Sequence, residues 1–231
     1  MIKRAFPYYG SKTRLAPLYP APTEDTIIEP FAGAAAYSQL HWQKKVILYD
    51  VNPRVINCWN FLILANEQDV LNLPDVHYGL NIESIESLSV GEKALMQFFA
   101  YDGFSGIHGR AVGKRCIWNH YKPYVAKMVY RFNHWKAFNA SWQTSLDDHA
   151  TWFIDPPYQF GGEHYEFSNK NLDYSELSEF CCARQGQVIV CENTKASWLP
   201  FNPLAKLTGI KHTTTECIWT RGTDTFLKVL T

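Results

Sequence analysis

Asp155-Pro156-Pro157-Tyr158 follows directly on the apolar run Trp152-Phe153-Ile154. Two consecutive prolines stiffen the backbone at a strand end, remove two donors and leave their carbonyls free to accept. The acid before them and the aromatic after them add a second acceptor and a stacking face. This set suits an amino nitrogen conjugated to a nucleobase ring. The amino group of adenine is a poor nucleophile, because its lone pair is delocalised into the ring. Acceptors on both of its hydrogens, the Asp155 carboxylate and the Pro156 carbonyl, favour the tetrahedral nitrogen that can attack a methyl group, while Tyr158 stacks on the base. A strand-terminating proline turn accounts for the prolines but not for the residues that flank them.

A second constellation lies near the start of the chain. Phe31-Ala32-Gly33 falls in a β-α turn, where small residues let backbone N–H groups approach a ligand closely. Asp50 follows 19 residues after Phe31, at the end of the next strand. That spacing suits a carboxylate accepting hydrogen bonds from the ribose hydroxyls of a nucleoside cofactor. A glycine turn is often merely a turn and a strand-end aspartate often a cap, so the pair leaves both readings open. Gly10-Ser11-Lys12 invites comparison with a phosphate-cradling loop, but Ala5 stands where that loop needs its first glycine and the order is Gly-Ser-Lys; we reject that reading.

The elements that must position these residues read as follows. Thr26-Ile27-Ile28-Glu29 is a short buried strand, and Ala34-Ala35-Ala36 open a helix to about Trp42. Val46 to Tyr49 is the next strand; Asn52 then caps a helix that starts at Pro53 and runs through Ile63. Residues 67–150 are less regular: a helix from Gly91-Glu92 over Ala94 to Tyr101, a glycine-bearing loop from Gly103 to Gly113, and a helix near Lys122 to Trp135. Strand signals return at Thr151 to Ile154, Gln187 to Cys191, Thr213 to Trp219 and Thr225 to Val229. The expected architecture is an α/β sheet with a catalytic core in residues 1–66 and 151–231, and an inserted, mainly helical target-recognition region over 67–150. Ligands of open α/β sheets bind at the carboxyl edge of the strands, so Asp50 and Asp155 should share one crevice. There is no internal repeat.

Twenty-two basic residues balance twenty-two acidic ones. The balance is not uniform: between Tyr101 and Lys136 seven basic residues face the single acid Asp102, a local charge of +6. Aromatics are interleaved with them, at Phe104, Trp118, Tyr121 and Tyr124, a combination that suits phosphate contacts and base stacking. The six cysteines form no C-x-x-C pair and four of them fall in apolar runs or stand adjacent, which predicts buried thiols, a reducing cytoplasm and no metal. The start of the chain lacks a signal-peptide core and no apolar run would span a bilayer.

With these residues in view, the chain resembles the DNA adenine methylase family of S-adenosylmethionine-dependent amino-methyltransferases. The family's N-terminal cofactor motif is similar to Ala5-Phe6-Pro7-Tyr8-Tyr9-Gly10-Ser11-Lys12, and its glycine motif to Glu29-Pro30-Phe31-Ala32-Gly33-Ala34-Ala35. Its ribose acid is similar to Asp50-Val51-Asn52-Pro53 and its catalytic motif to Asp155-Pro156-Pro157-Tyr158. The C-terminal stretch, with Val190-Cys191-Glu192-Asn193 and Ile218-Trp219, resembles phage-type members. The resemblance implies a Rossmann-like methyltransferase fold, S-adenosylmethionine as methyl donor held by Tyr8, Gly10, Lys12, Phe31, Gly33 and Asp50, and an adenine of double-stranded DNA held by Asp155, Pro156, Pro157 and Tyr158. It implies the cytoplasm of a bacterium or a phage-infected host, and no membrane or obligate protein partner. The DNA-contacting loop resembles Phe104 through Arg110, with Arg110, Lys114, Arg115 and Lys122 as candidate contacts. The chain departs from the pattern at Ser11 and at Ala35, where the family usually has glycine. The methyl group of Ala35 should be tolerated if the local φ is negative. Cytosine N4, an adenine in RNA, or a non-catalytic DNA-binding relative are the competing readings.

Overall fold

A computed structural model describes residues 4–100, 112–114, 116–146, 148–162, 170, 172–208 and 213–222. In chain order the elements are β1 (Thr26–Glu29), α1 (Ala36–Leu40), β2 (Lys45–Asp50), α2 (Pro53–Leu64), α3 (Glu67–Leu71), α4 (Val90–Ala100), α5 (Trp118–Ala126), β3 (Lys136–Asn139), β4 (Ala150–Ile154), α6 (Tyr174–Ala183), β5 (Gly186–Asn193), β6 (Asn202–Thr208) and β7 (Thr213–Arg221), with short 3₁₀ turns such as Ala16–Leu18 and Trp142–Thr144 between them. The strands form one sheet in the order β3-β2-β1-β4-β5-β7-β6. The first five are parallel, and β7 runs antiparallel to both β5 and β6. This is a Rossmann-like α/β sheet, the class that the sequence led us to expect.

Strands of a parallel sheet covered on both faces read as unbroken apolar runs, because alternate side chains enter different cores. Ile27, Leu48, Phe153, Ile189 and Cys191 point to the face that α2, α4 and α5 cover, whereas Ile28, Trp152, Ile154, Val188 and Val190 meet Leu177 and Cys181 of α6 on the other. All five residues of β4 are buried. The strand that carries Asp155 at its end therefore sits at the centre of the molecule. No helix among the described residues is long and apolar enough to cross a membrane.

Several expectations need correction. The helix near Lys122 to Trp135 starts earlier, at Trp118, and ends at Ala126. Trp118 is fully buried and its Nε1 donates to the Pro74 carbonyl, so tertiary packing brings the residues before Pro123 into the helix. Residues 136–139, inside the stretch read as an insertion, pair in parallel with β2 from Ile47↔Lys136 to Asp50↔Asn139 and so belong to the sheet. The α1 helix is shorter than the reading to Trp42, because His41 caps it by donating to the Ser38 and Tyr37 carbonyls. The glycine-bearing loop around 103–111 and the strand expected over 225–229 lie outside the described residues.

Candidate active site

The strand order reverses between β1 and β4, and a crevice opens beyond their carboxyl ends. Its cavity of about 400 Å³ is lined from the N-terminal segment by Tyr8, Gly10 and Lys12, from the turn after β1 by Phe31 and Gly33, and from the ends of β2 and β4 by Asp50 and Asp155. Pro157 also lines it, as do Ser141, Trp142 and Gln143. Two acids, separated in the sheet by β1, thus face a single cavity.

The turn after β1 is built by close backbone approach. Gly33 has φ of +45°, and a Cβ there would lie 2.9 Å from the Tyr8 ring. Its N–H donates to Asp50 Oδ2 at 2.9 Å and its carbonyl accepts from Trp59 Nε1 at 2.9 Å. Asp50 Oδ1 accepts from the Asn52 N–H, also at 2.9 Å. Burial raises the Asp50 carboxyl to about 6, against the opposing pull of these two backbone bonds. A carboxylate has about four acceptor positions, so two backbone bonds leave capacity for a pair of hydroxyls. Phe31 stacks at 6.4 Å on Trp142, which belongs to the 3₁₀ turn after β3.

Ala35 corrects the sequence reading. Its φ and ψ are +46° and +47°, in the left-handed region, where the tolerance of its methyl group was expected to depend on a negative φ. Among the described residues it is the one non-glycine with positive φ. The turn imposes this: the Ala35 N–H donates to the Ala32 carbonyl at 2.6 Å, and α1 begins at the next residue.

At the other end of the cavity, Lys12 meets Asp155 with its ammonium 2.6 Å from Oδ1 and 2.7 Å from Oδ2, and it donates to the Gly10 carbonyl at 3.2 Å. The two side chains are 8% and 18% exposed, so the pair is shielded from water. Burial pushes the Asp155 carboxyl up and the Lys12 ammonium opposes it. The same ammonium lies 4.8 Å from the centre of the Tyr158 ring, whose hydroxyl donates to Glu216 Oε1 at 2.6 Å. The sequence reading placed Lys12 near the cofactor; its direct partner is the Asp155 carboxylate.

Comparison with known proteins bears on this arrangement. Residues 8–83 match the model of the D12 class N6 adenine-specific DNA methyltransferases. That stretch, about a third of the chain, is what resembles the D12 methyltransferases. It holds the Tyr8 to Lys12 segment, the Gly33 turn and Asp50. Among curated proteins, the small ribosomal subunit protein uS10m of Candida albicans is 34% identical over 102 residues, a match covering 40% of this chain and 42% of that protein. The chain thus spans less than half the length of that relative. Among solved structures, the rRNA methyltransferase aviRa from Streptomyces viridochromogenes is similar with a TM-score of 0.44 and 14% identity, over 94% of this chain and 87% of that one.

Around this D12-like segment the structure adds residues that the sequence reading did not name as site residues. Glu29, at the end of β1, is 2% exposed, lines the cavity, and accepts the Ser38 N–H at 2.9 Å. Glu192 is buried near the end of β5 and Glu216 is buried within β7. The available signal was an acid at the end of, or inside, an apolar or β-branched run. Of the candidate DNA contacts, Arg110 and Arg115 lie outside the described residues. Lys114 places its ammonium 5.7 Å from the Tyr78 ring. Lys122 is tied to Asp75 at 2.5 Å and to the Leu73 carbonyl at 2.9 Å, so its charge is neutralised within the protein.

Proposed function

We propose that this chain transfers the methyl group of S-adenosylmethionine to the N6 amino nitrogen of an adenine in duplex DNA. The observation that carries the reading is that Asp155 and Pro157, of the Asp155-Pro156-Pro157-Tyr158 segment, line the same cavity as Asp50 and the Gly33 turn. The cavity volume falls in the range of small-molecule sites. Tyr8, Gly10, Lys12, Phe31, Gly33 and Asp50 form the cofactor side in this reading, with Asp50 taking the ribose hydroxyls and Phe31 with Trp142 the apolar wall. When bound, S-adenosylmethionine supplies an electrophilic methyl on a sulfonium.

The base is extruded from the duplex at an unstacking cost of about a few kcal/mol. Tyr158 stacks on it. The Asp155 carboxylate and the Pro156 carbonyl accept the two amino hydrogens and hold the nitrogen lone pair toward the methyl group. As the N–C bond forms and the S–C bond breaks, positive charge develops on nitrogen, and Asp155 stabilises it before the proton passes to water. Alignment and preorganised acceptors supply the rate in this scheme. The Lys12 ammonium donates to both Asp155 oxygens, and the remaining acceptor positions of the carboxylate take the incoming amino group. Lys114, Arg110 and Arg115 are the proposed phosphate contacts, and Lys122 supports them by fixing α5 to the preceding loop.

The test is to incubate the protein with labelled S-adenosylmethionine and unmethylated duplex DNA, digest the product and identify the methylated nucleoside. N6-methyladenine is the expected result. Label in N4-methylcytosine or in RNA would move the substrate, and measurable cofactor binding without any transfer would leave a non-catalytic relative. Asp155→Ala should lower turnover by at least about a hundredfold. That variant also strands the buried Lys12 ammonium, at a cost on the order of 3–5 kcal/mol. Asp155→Asn, which keeps one acceptor for Lys12, should lose turnover while retaining the fold and cofactor binding. Full activity in Asp155→Ala would sink the assignment.

A further inference from the structure

Glu216 lies on β7, opposite Asn193 of β5, with its side chain 5% exposed in total. A carboxylate removed from water needs partners, and Glu216 has two tyrosines. The Tyr158 hydroxyl donates to its Oε1 at 2.6 Å and the Tyr19 hydroxyl donates to the same oxygen at 2.8 Å. Tyr19 is itself immobilised, since its ring packs edge-on against Phe153 at 5.0 Å and against Tyr37 at 6.4 Å. The carboxylate is thus gripped from the core side by a fixed phenol and grips the catalytic-motif phenol on the other.

The main chain of the same loop is anchored separately. The Pro157 carbonyl accepts from the Tyr174 hydroxyl at 2.6 Å, and the Gln159 N–H donates to Glu192 Oε1 at 2.6 Å. Glu192 is fully buried, and it also accepts from the Asn193 N–H and from Trp198 Nε1. The backbone on either side of Tyr158 therefore stays in place without Glu216, and what Glu216 adds is the direction of the ring.

We propose that Glu216 is a positioning residue: by accepting the Tyr158 hydroxyl it fixes the plane of the ring against which the target base is held. The proposal rests on the reading of Asp155 to Tyr158 as the base-binding segment. A base stacked on a ring free to swing presents its nitrogen to the methyl group at the wrong angle, and a displacement of about 1 Å can cost a hundredfold in rate. The hydrogen bond is the agent, so an uncharged acceptor of the same shape should serve.

The experiment is steady-state methylation of unmethylated duplex DNA by the whole protein, with kcat and KM separated for wild type, Glu216→Leu, Glu216→Gln, Tyr158→Phe and the Glu216→Leu/Tyr158→Phe double variant. S-adenosylmethionine affinity and melting temperature are measured on each. Glu216→Leu and Tyr158→Phe should each lower kcat about ten- to a hundredfold with S-adenosylmethionine affinity unchanged. The double variant should be no worse than the poorer single one, as expected of two residues acting through one bond. Glu216→Gln should recover most of the loss. If Glu216→Leu does not fold, Tyr158→Phe and Glu216→Gln decide alone. Additive losses, a Gln variant as poor as Leu, or an unaltered kcat in Tyr158→Phe overturns the positioning role while leaving the methyl-transfer reading intact. Absence of transfer by the wild-type protein overturns both.

Discussion

Ala35 shows what a single φ angle can cost. A left-handed conformation costs an L-residue with a Cβ roughly 1–2 kcal/mol, and Ala35 holds one at +46°. The turn needs it, because the chain must leave β1, approach Tyr8 closely at Gly33, and start α1 within a few residues. Glycine at this position relieves the strain but adds freedom to the unfolded chain. The net expectation for Ala35→Gly is a gain of about 0.5–1 kcal/mol, read as a higher urea midpoint with unchanged slope. A lower midpoint would mean that the Ala35 methyl, which lines the cavity, contributes packing that outweighs the strain.

Glu29 gives the pH dependence its sign. Burial raises its carboxyl from about 4.5 in the ordinary range to about 8, with the Ser38 hydrogen bonds opposing and Asp155 adding to the rise. A carboxyl whose value is raised on folding favours the native state when protonated. Its contribution is complete below about 4.5 and is lost as pH climbs through about 8. Unfolding free energy should therefore fall between these limits, by an amount on the order of a few kcal/mol from this group. Glu29→Gln keeps an acceptor for the Ser38 N–H and should flatten that slope in urea titrations run across the range. An unchanged slope would assign the pH dependence to other groups.

At the scale of elements, α2 is the strut between the helical layer and the cavity. Trp59 of α2 is fully buried and holds the Gly33 carbonyl. On its other side α2 is met by α4 at Gly91, where a Cβ would lie 2.6 Å from the Asn57 carbonyl oxygen and 2.8 Å from the Phe61 Cβ. Gly91→Ala must push the helices apart, and overpacking of this kind costs about 1–3 kcal/mol. The variant should melt lower and, through Trp59 and Gly33, bind S-adenosylmethionine more weakly. A fall in melting temperature with affinity untouched would show that the strut does not transmit the shift.

The elements that the sequence revealed are those with strong local pattern. β1, β2, β4 and β5 are apolar runs bounded by turn residues, and α2 carries both Asn52 as N-cap and Pro53 at its first position. β3, β6 and α6 were missed for local reasons. β3 is four residues with two exposed polar ones among them. β6 is an edge strand that carries Pro203 at a register shift, a residue type that argues against a strand unless it lies at an edge. The α6 helix buries only Leu177 and Cys181, one pair at i and i+4, too narrow a stripe to stand out.

At the scale of the molecule, the sheet gathers residues from far apart in the chain. Lys12 and Asp155 are 143 positions apart, and Tyr19 and Glu216 are 197 apart. Because β1 and β4 are neighbours, the turn after β1 and the segment after β4 open on the same side. Because β7 returns between β5 and β6, Glu216 arrives beside Tyr158. Neither adjacency is written in any local run.

By itself the sequence picked out the Asp155 to Tyr158 segment, the glycine turn, Asp50 at a strand end and the α/β alternation, since each depends on a few consecutive residues whose backbone preferences and apolar faces act locally. The tertiary structure decided the rest. It pairs Lys12 with Asp155, bends Ala35 into the left-handed region, draws residues 136–139 into the sheet and sets Glu216 behind Tyr158. Those outcomes depend on which strands lie side by side and on which polar groups find each other once water is excluded, and a chain read one residue after another contains neither.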